Sequence, residues 1–197
     1  MGATLPSTLT PVNIADIVVA QARVEGNLVK VDDFLNHRID PTTMRQVGSQ
    51  IATLLEDVSV DLILTAEASG IPPALATSLI TDIPCVYAKK YVGAAQRYAF
   101  GREVVSPTKG VEYRVEVARR QLRPGLRIVV VDDFLSGGRT AEALGEIVEE
   151  AGCEVVKFIF VIEKTFTGGR SRLEARSWDV EALVKIADIS NGAITLA

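Results

Sequence analysis

Short apolar runs alternate along this chain with segments that repeat apolar residues at helical spacing. Residues 128–131 are apolar at every position, as expected of a central parallel strand that helices cover on both faces. From Thr140 to Gly152 apolar residues recur three and four positions apart, which predicts an amphipathic helix. The same alternation predicts strands at 62–64, 86–87 and 155–162 and helices beginning at Asp40 and near Pro72. This order predicts an α/β fold with a twisted, mainly parallel sheet flanked by helices.

The two ends of the chain are expected to add smaller elements. Thr10 and Pro11 are predicted to begin a first helix that ends near Gly26, and a short strand is expected at 28–31. Residues 180–196 contain two apolar stretches, which we expect to be edge strands. The chain has 197 residues and 48% hydrophobic content, so residues 1–197 are expected to form a single domain.

An acidic pair and a glycine loop follow the central strand. Asp132 and Asp133 come at its carboxyl end, where ligands bind in open α/β sheets, and carboxylates there can accept hydrogen bonds from ribose hydroxyls. Ser136, Gly137 and Gly138 then precede the helix, whose positive end and nearby amides would form a small anion site that suits a phosphate. An ordinary turn beside surface aspartates is the alternative.

Residues 89–127 are strongly basic, with ten Lys and Arg residues and three Glu residues in a chain whose net charge is −4. Two lysines at the end of a parallel strand, Lys89 and Lys90, are suited to meet a pyrophosphate as point charges. Residues 102–105 and 111–117 alternate like a hairpin, which we predict to be a weakly anchored, flexible lid over about 91–120 that excludes water. A surface β-arm or a dimer contact is the alternative. The tip carries the predicted lid residues Ser106, Thr108 and Lys109.

Several functional classes are disfavoured by composition and motifs. The net charge of −4 argues against broad nucleic-acid binding, and the longest apolar runs are too short for a membrane helix. Because no signal-peptide pattern is evident, we expect a cytoplasmic protein. His37 is the sole histidine, which disfavours a protein-bound zinc ion or a histidine-dependent triad.

The acidic pair followed by FLSGGRTA resembles the phosphoribosyl pyrophosphate (PRPP) signature of type I phosphoribosyltransferases. Five other segments resemble stretches of the xanthine phosphoribosyltransferase family and occur in the same order. In this chain they read LVKVDDFLNH, EASGIP, YAKK, SPTK and VIEKTFTGGR. The resemblance covers nearly the whole chain after about residue 12. It implies the transfer of phosphoribose from PRPP to N9 of an oxopurine, most readily xanthine.

The resemblance also implies roles for individual residues. Asp132 and Asp133 would be catalytic, holding the ribose hydroxyls and the positive charge that develops on the sugar. The 5′-phosphate of PRPP would be bound by Ser136, Gly137, Gly138, Arg139 and Thr140, although Arg139 could instead point outward. The pyrophosphate of PRPP would be bound by Ala68, Ser69, Gly70 and Lys90, in a loop that Glu67 could anchor. A small hood made by residues 26–38 and 165–197 would hold the base through Val29, Phe34, Asn36 and Lys164.

Base selectivity is predicted from Lys164. An ammonium group donates hydrogen bonds and cannot accept them, so it suits O6 of a 6-oxopurine and opposes the amino group of adenine. An adenine-specific enzyme is therefore a weaker alternative. For Asn36 a turn-forming role is the alternative to base contact.

A PRPP-sensing regulatory protein is the alternative of another class. Purine repressors on this fold add a DNA-binding segment, and the single short helix expected before residue 28 leaves little chain for one. The resemblance further implies Mg²⁺ that arrives bound to PRPP, with no direct protein ligand. The expected partners are PRPP, a purine base and a second copy of the chain in a homodimer, with no nucleic acid and no membrane.

Overall fold

Strands and helices alternate along the chain as the hydrophobic pattern predicts. The structure, a computed structural model, describes residues 13–26, 28–91, 98–105, 112–190 and 192–197. The helices are α1 (Ile14–Gln21), α2 (Pro41–Thr53), α3 (Ile71–Thr81), α4 (Arg139–Glu150) and α5 (Gly169–Glu174). The strands are β1 (Arg23–Glu25), β2 (Leu28–Lys30), β3 (Leu62–Ala66), β4 (Cys85–Tyr91), β5 (Ala99–Val105), β6 (Glu112–Ala118), β7 (Arg127–Leu135), β8 (Glu154–Lys164), β9 (Val180–Ser190) and β10 (Ala193–Leu196). None of the described helices combines the length and the apolar content needed to cross a membrane.

One sheet dominates the described part of the chain. Its eight strands lie in the order β10, β9, β8, β7, β3, β4, β6 and β5. From β9 to β4 in this order, each strand is parallel to the next. The pairs β10–β9, β4–β6 and β6–β5 are antiparallel. The predicted α/β fold with a mainly parallel sheet is therefore confirmed.

The central strand β7 is buried on both faces, as its sequence predicts. Val130 packs with Leu144 of α4 in one apolar cluster, and Val129 packs with Ile51 of α2 in a second cluster on the opposite face. All four side chains are fully buried. Burial of each such side chain is worth about 1.5–3 kcal/mol, so the two clusters hold the helices against the sheet.

The start of α2 confirms the predicted cap. Asp40 accepts hydrogen bonds from the backbone N–H of Thr43 at 2.8 Å and from its hydroxyl at 3.0 Å, and Pro41 is the first helical residue. The backbone hydrogen bond from Thr43 lowers the pKa of Asp40, because it stabilises the carboxylate. The cap thus fixes where the helix begins.

The first helix is shorter than predicted. It begins at Ile14, and Asn13 caps it by accepting a hydrogen bond from the Ala15 N–H at 3.0 Å. Thr10 and Pro11 lie outside the described residues. The helix ends at Gln21 rather than near Gly26, because Arg23–Glu25 pairs with Leu28–Lys30 in a separate two-stranded hairpin.

The predicted basic hairpin exists, but its described strands are anchored in the main sheet. β5 and β6 pair in register, and β6 also pairs with β4. Phe100, Val104, Val115 and Val117 are buried in the same cluster as α4. The expectation of a weakly anchored excursion is therefore wrong for these strands. The predicted tip residues Ser106, Thr108 and Lys109 lie outside the described residues.

The C-terminal strands also belong to the main sheet. β9 pairs with β8 on one side and β10 on the other, so only β10 is an edge strand as predicted. Val184 and Ile186 of β9 pack in the cluster that contains α1 and α2. This part of the predicted hood is thus continuous with the core.

We expect Gly48→Ala to destabilise the fold. A Cβ atom at Gly48 would lie 2.6 Å from the carbonyl oxygen of Ala76 in α3, which is backbone that cannot rotate away. At an open helical site this change would stabilise by about 1 kcal/mol, but here the overlap should lower the free energy of unfolding by about 1–3 kcal/mol. Urea denaturation measures the change. The neighbouring exposed position supplies the control Ser49→Ala, and equal stability of the two variants would contradict the close helix packing.

Candidate active site

The carboxyl ends of β3, β4 and β7 lie side by side, because these strands are parallel neighbours. A cavity of about 310 Å³ opens at this edge. Of the predicted residues it is lined by Ser69, Lys90, Asp132, Asp133, Ser136, Gly137, Gly138, Arg139 and Thr140. Two larger cavities, of about 380 and 390 Å³, lie elsewhere and lack the acidic pair and the glycine loop. We assign the site to the smaller cavity because the charged and polar groups converge there.

The glycine loop and the helix after it have the predicted order. Gly138 has a φ of +74°, which favours glycine, and α4 begins at the next residue, one position before the predicted start. Thr140 lies in the first turn, and its hydroxyl is 2.7 Å from the hydroxyl of Tyr113 in β6. The Arg139 guanidinium donates to the Val105 carbonyl at 3.1 Å, so it ties the end of β5 to this helix.

The two aspartates are buried and differ in their surroundings. Asp133 accepts hydrogen bonds from the Ser69 hydroxyl at 3.0 Å and from the Asn36 amide at 3.2 Å. Asp132 accepts one from the backbone N–H of Asp133 at 2.9 Å. Burial, followed by the negative charge of Asp133, raises the pKa of Asp132 well above its ordinary value. Asp133 therefore links the Ser69 loop to the N-terminal segment that carries Asn36.

The loop between β3 and α3 passes close to the acidic pair. A Cβ atom at Gly70 would lie 2.1 Å from the Thr65 hydroxyl oxygen and 2.3 Å from a carboxyl oxygen of Asp132. Only glycine allows the backbone to approach so closely. Ser69 lines the cavity, Gly70 is buried beneath it, and Ala68 is exposed beside it.

Glu67 anchors this loop to the neighbouring strand. Its carboxylate accepts a hydrogen bond from the backbone N–H of Lys90 at 2.6 Å, and its own N–H donates to the Ala88 carbonyl at 3.0 Å. The Lys90 ammonium lies 5.6 Å from the centre of the Tyr113 ring, within the range of a cation–π contact. The loop and the lysine thus form one unit at the cavity wall.

The predicted base-binding residues separate into different environments. Phe34 is only 1% exposed and packs in the apolar core, so its side chain has no surface to offer a base and this assignment is corrected. Val29 is buried in the same cluster. Asn36 is half-buried and donates to Asp133, which is more than a turn-forming role. Burial lowers the pKa of Lys164, whose ammonium lies 5.9 Å from the centre of the Phe134 ring.

Two aromatic residues at the cavity were missed by the sequence analysis. Phe134 lines the cavity directly after the acidic pair, and its place between that pair and the glycine loop was an available signal. Tyr113 lines the cavity from β6 and contacts both Thr140 and Lys90. No local pattern distinguishes Tyr113 from the other residues of an alternating strand.

Comparison with known proteins identifies the family. The model of the phosphoribosyl transferase domain matches residues 40–194. A xanthine phosphoribosyltransferase from Chloroflexus aurantiacus is 44% identical over 169 residues, which cover 86% of this chain and 80% of the relative. Another from Macrococcus caseolyticus is 40% identical over 88% of this chain and 90% of the relative. The chain belongs to the phosphoribosyltransferase family.

Solved structures agree with the fold of this phosphoribosyltransferase. The adenine phosphoribosyltransferase of Giardia lamblia, complexed with 9-deazaadenine, has a TM-score of 0.76 at 17% identity and covers 90% of this chain and 99% of that chain. The adenine phosphoribosyltransferase of Thermoanaerobacter pseudethanolicus has a TM-score of 0.66 at 28% identity. The match covers 74% of this chain and 82% of that chain. This likeness shows the fold alone and says nothing about the base that the chain uses.

Carboxylate oxygens are the groups at this site that suit a Mg²⁺ ion. Within the described ranges, no cluster of three or more His, Cys, Asp and Glu side chains could hold a metal ion. Both carboxyl oxygens of Asp133 already accept hydrogen bonds from protein groups.

We expect Asp132→Asn to raise the stability of this phosphoribosyltransferase in a pH-dependent way. Because the pKa of Asp132 is raised in the folded state, the native protein binds its proton more tightly than the unfolded chain does. The stabilisation that protonated Asp132 gives the wild-type protein is fully present below the pKa that Asp132 has in the unfolded chain. It is lost as the pH rises through the pKa of Asp132 in the folded state. The advantage of Asp132→Asn in unfolding free energy should therefore grow as the pH is raised from about 3.5 to 8. Urea denaturation across this range measures it, and an advantage that does not change with pH would contradict the raised pKa.

Proposed function

We propose that this phosphoribosyltransferase transfers 5-phosphoribose from PRPP to N9 of an oxopurine, with xanthine as the preferred base. The supporting observation is the single cavity where the acidic pair, the glycine loop and Lys90 converge and where Phe134, whose ring centre lies 5.9 Å from the Lys164 ammonium, lines the wall. The relatives at 38–44% identity are named xanthine phosphoribosyltransferases, which favours the same base.

The reaction breaks the bond between C1 of the ribose and the pyrophosphate oxygen, whose electron pair leaves with pyrophosphate. The lone pair of N9 then forms the new bond to C1, and the base loses its N9 proton. Asp133 holds the ribose hydroxyls and stabilises the positive charge that develops on the sugar, since electrostatic stabilisation is usually the largest catalytic contribution. Asp132 is buried against the Gly70 loop and holds the ribose hydroxyls together with Asp133.

The remaining residues bind the two ends of PRPP. Ser136, Gly137, Gly138 and Thr140 hold the 5′-phosphate at the positive end of α4. Ser69 and Gly70 with Lys90 hold the pyrophosphate, and Ala68 supplies backbone groups beside them. Mg²⁺ bound to PRPP neutralises charge on the leaving pyrophosphate. Arg139 orders the hairpin above the phosphate through Val105.

The base is held between Phe134 and the hood. Lys164 donates a hydrogen bond to O6, and Asn36 and Val29 approach the base from the N-terminal part of the hood. Residues 26–38 and 165–197 form the hood of a single domain. The enzyme works in the cytoplasm as a homodimer.

Two other functions are disfavoured. An adenine-specific enzyme would place the exocyclic amine of adenine against Lys164, where two donors would face each other. A regulatory protein that binds PRPP without catalysis is disfavoured because the relatives at 38–44% identity are named xanthine phosphoribosyltransferases.

The deciding experiment is product formation from PRPP and Mg²⁺ with xanthine, guanine, hypoxanthine and adenine in parallel, resolved by chromatography, with a control that lacks metal. We expect xanthine monophosphate to form fastest. Preferential conversion of adenine would overturn the base assignment and leave the PRPP site standing. Binding of PRPP with no conversion of any base would favour the regulatory protein.

Asp133→Asn should lower kcat by about 10²-fold or more, because the charge opposite the developing cation is removed. The amide oxygen of the new asparagine can still accept a hydrogen bond from the Ser69 hydroxyl, but its NH2 group would face the NH2 group of Asn36, and two donors cannot pair. The free energy of unfolding should therefore change by only about 1 kcal/mol. Steady-state kinetics and urea denaturation measure the two effects. Asp188→Asn, at an exposed carboxylate of β9, is the control. An unchanged kcat would remove Asp133 from the mechanism.

Lys164→Gln should lower kcat/KM for xanthine by about 10-fold to 10²-fold, because a charge-assisted donor to O6 is lost. The KM for PRPP should stay within about twofold, since the lysine lies at the base end of the site. Lys157→Gln is the matched control, because Lys157 lies on the same strand and pairs with Asp179 at 3.2 Å, away from the cavity. An equal loss in both variants would show that the effect is not specific to the base pocket.

A further inference from the structure

The glycine loop is supported from behind by α5, a helix that lies outside the cavity lining. Arg172 of α5 donates from Nε to the Gly137 carbonyl at 2.9 Å, and its Nη1 pairs with Glu142 of α4 at 2.8 Å. The Ser136 carbonyl faces Gly169, where a Cβ atom would lie 1.9 Å from that oxygen. Two consecutive loop carbonyls are therefore directed toward α5.

The direction of a carbonyl determines the direction of the next amide. The Ser136–Gly137 and Gly137–Gly138 peptide bonds are trans, so each N–H points opposite to the preceding C=O. The amides of Gly137 and Gly138 consequently point away from α5, on the side of the loop that lines the cavity. Neither amide meets a hydrogen-bond acceptor among the described residues. Both are thus available to an anion in the cavity.

Arg172 packs closely against the glycine loop, and its guanidinium is held in one orientation. A Cβ atom at Gly138 would lie 3.0 Å from the Gly169 carbonyl oxygen and 3.3 Å from Cδ of Arg172, so helix and loop are in close contact. The ion pair with Glu142 fixes the planar guanidinium in the orientation that its Nε needs. The ammonium group of a lysine has no planar fork, so it cannot donate to the Gly137 carbonyl and pair with Glu142 in this geometry.

We propose that Arg172 is a positioning residue for the 5′-phosphate, which acts by turning the Gly137 and Gly138 amides into the cavity. This inference rests on the proposed function, because it assumes that the loop binds the phosphate of PRPP. Arg172 does not touch the phosphate itself. It holds the carbonyl side of the loop, and the amide side is oriented as a result.

The test compares two substitutions with a matched control in the full-length protein. Arg172→Ala and Arg172→Lys should each raise the KM for PRPP about tenfold, while the KM for the base stays within about twofold. The lysine variant keeps the positive charge, so it separates orientation of the carbonyl from long-range attraction. Arg176→Ala is the control, because Arg176 pairs with Glu146 and Glu149 of the same helix α4 and, within the described residues, has no hydrogen bond or ion pair with the loop.

Inhibition by two product fragments locates the effect. Ribose 5-phosphate carries the 5′-phosphate, so its inhibition constant should rise about tenfold in both Arg172 variants. Pyrophosphate lacks that group, so its inhibition constant should be unchanged. A general loss of structure would weaken both inhibitors and lower the unfolding midpoint, which would overturn the positioning role.

Other outcomes are equally decisive. Wild-type inhibition constants in Arg172→Ala, or full rescue by lysine, would overturn the inference and leave the proposed function standing. A wild-type protein that forms no nucleotide and is inhibited by neither fragment would overturn the proposed function, and the inference with it.

Discussion

The close approach of the Gly70 backbone to Asp132 is the constraint on which the site depends. No side chain fits between them, since a Cβ atom at Gly70 would overlap both the carboxyl oxygen and the Thr65 hydroxyl. This contact brings the loop after β3 against the end of β7, where Ser69 can donate to Asp133. The loop, the acidic pair and the Asn36 amide are therefore assembled before any substrate binds, and such preorganisation is what electrostatic catalysis requires.

Helix α4 organises the other side of the site. Its apolar face packs on the sheet, and its exposed glutamates pair with arginines from two directions. Arg102 of β5 and Arg176 after α5 both contact Glu146. Exposed pairs of this kind contribute only about 0–1 kcal/mol each, so the buried face of the helix dominates its stability. The pairs instead fix the orientation of the hairpin and of α5 relative to the helix that begins at the glycine loop.

The proposed base end and the proposed phosphate end of the cavity are connected through one short segment. Buried Glu163, next to Lys164, accepts two hydrogen bonds from Arg170 at 2.9 and 2.7 Å. This contact raises the pKa of Arg170 above its ordinary range, because the paired carboxylate stabilises the charged guanidinium. Two residues later, Arg172 contacts the glycine loop. The same helical turn thus holds the strand that presents Lys164 and the loop at the opposite end of the site.

The sequence alone determined the features that depend on local order. The two-sided apolar run of β7, the Asp40 cap and the glycine loop before α4 follow from periodicity and backbone preference, so the α/β fold and most of the cavity lining were predictable. Tertiary structure alone decided which of two similar residues reaches the cavity. Phe34 is buried in the core and Phe134 lines the site, because their positions depend on how the N-terminal turn packs on the sheet. The hydrogen bonds of Asn36 with Asp133 and of Arg172 with Gly137 join residues 97 and 35 positions apart. No local pattern encodes such contacts, since they exist only when the whole sheet has aligned its strands.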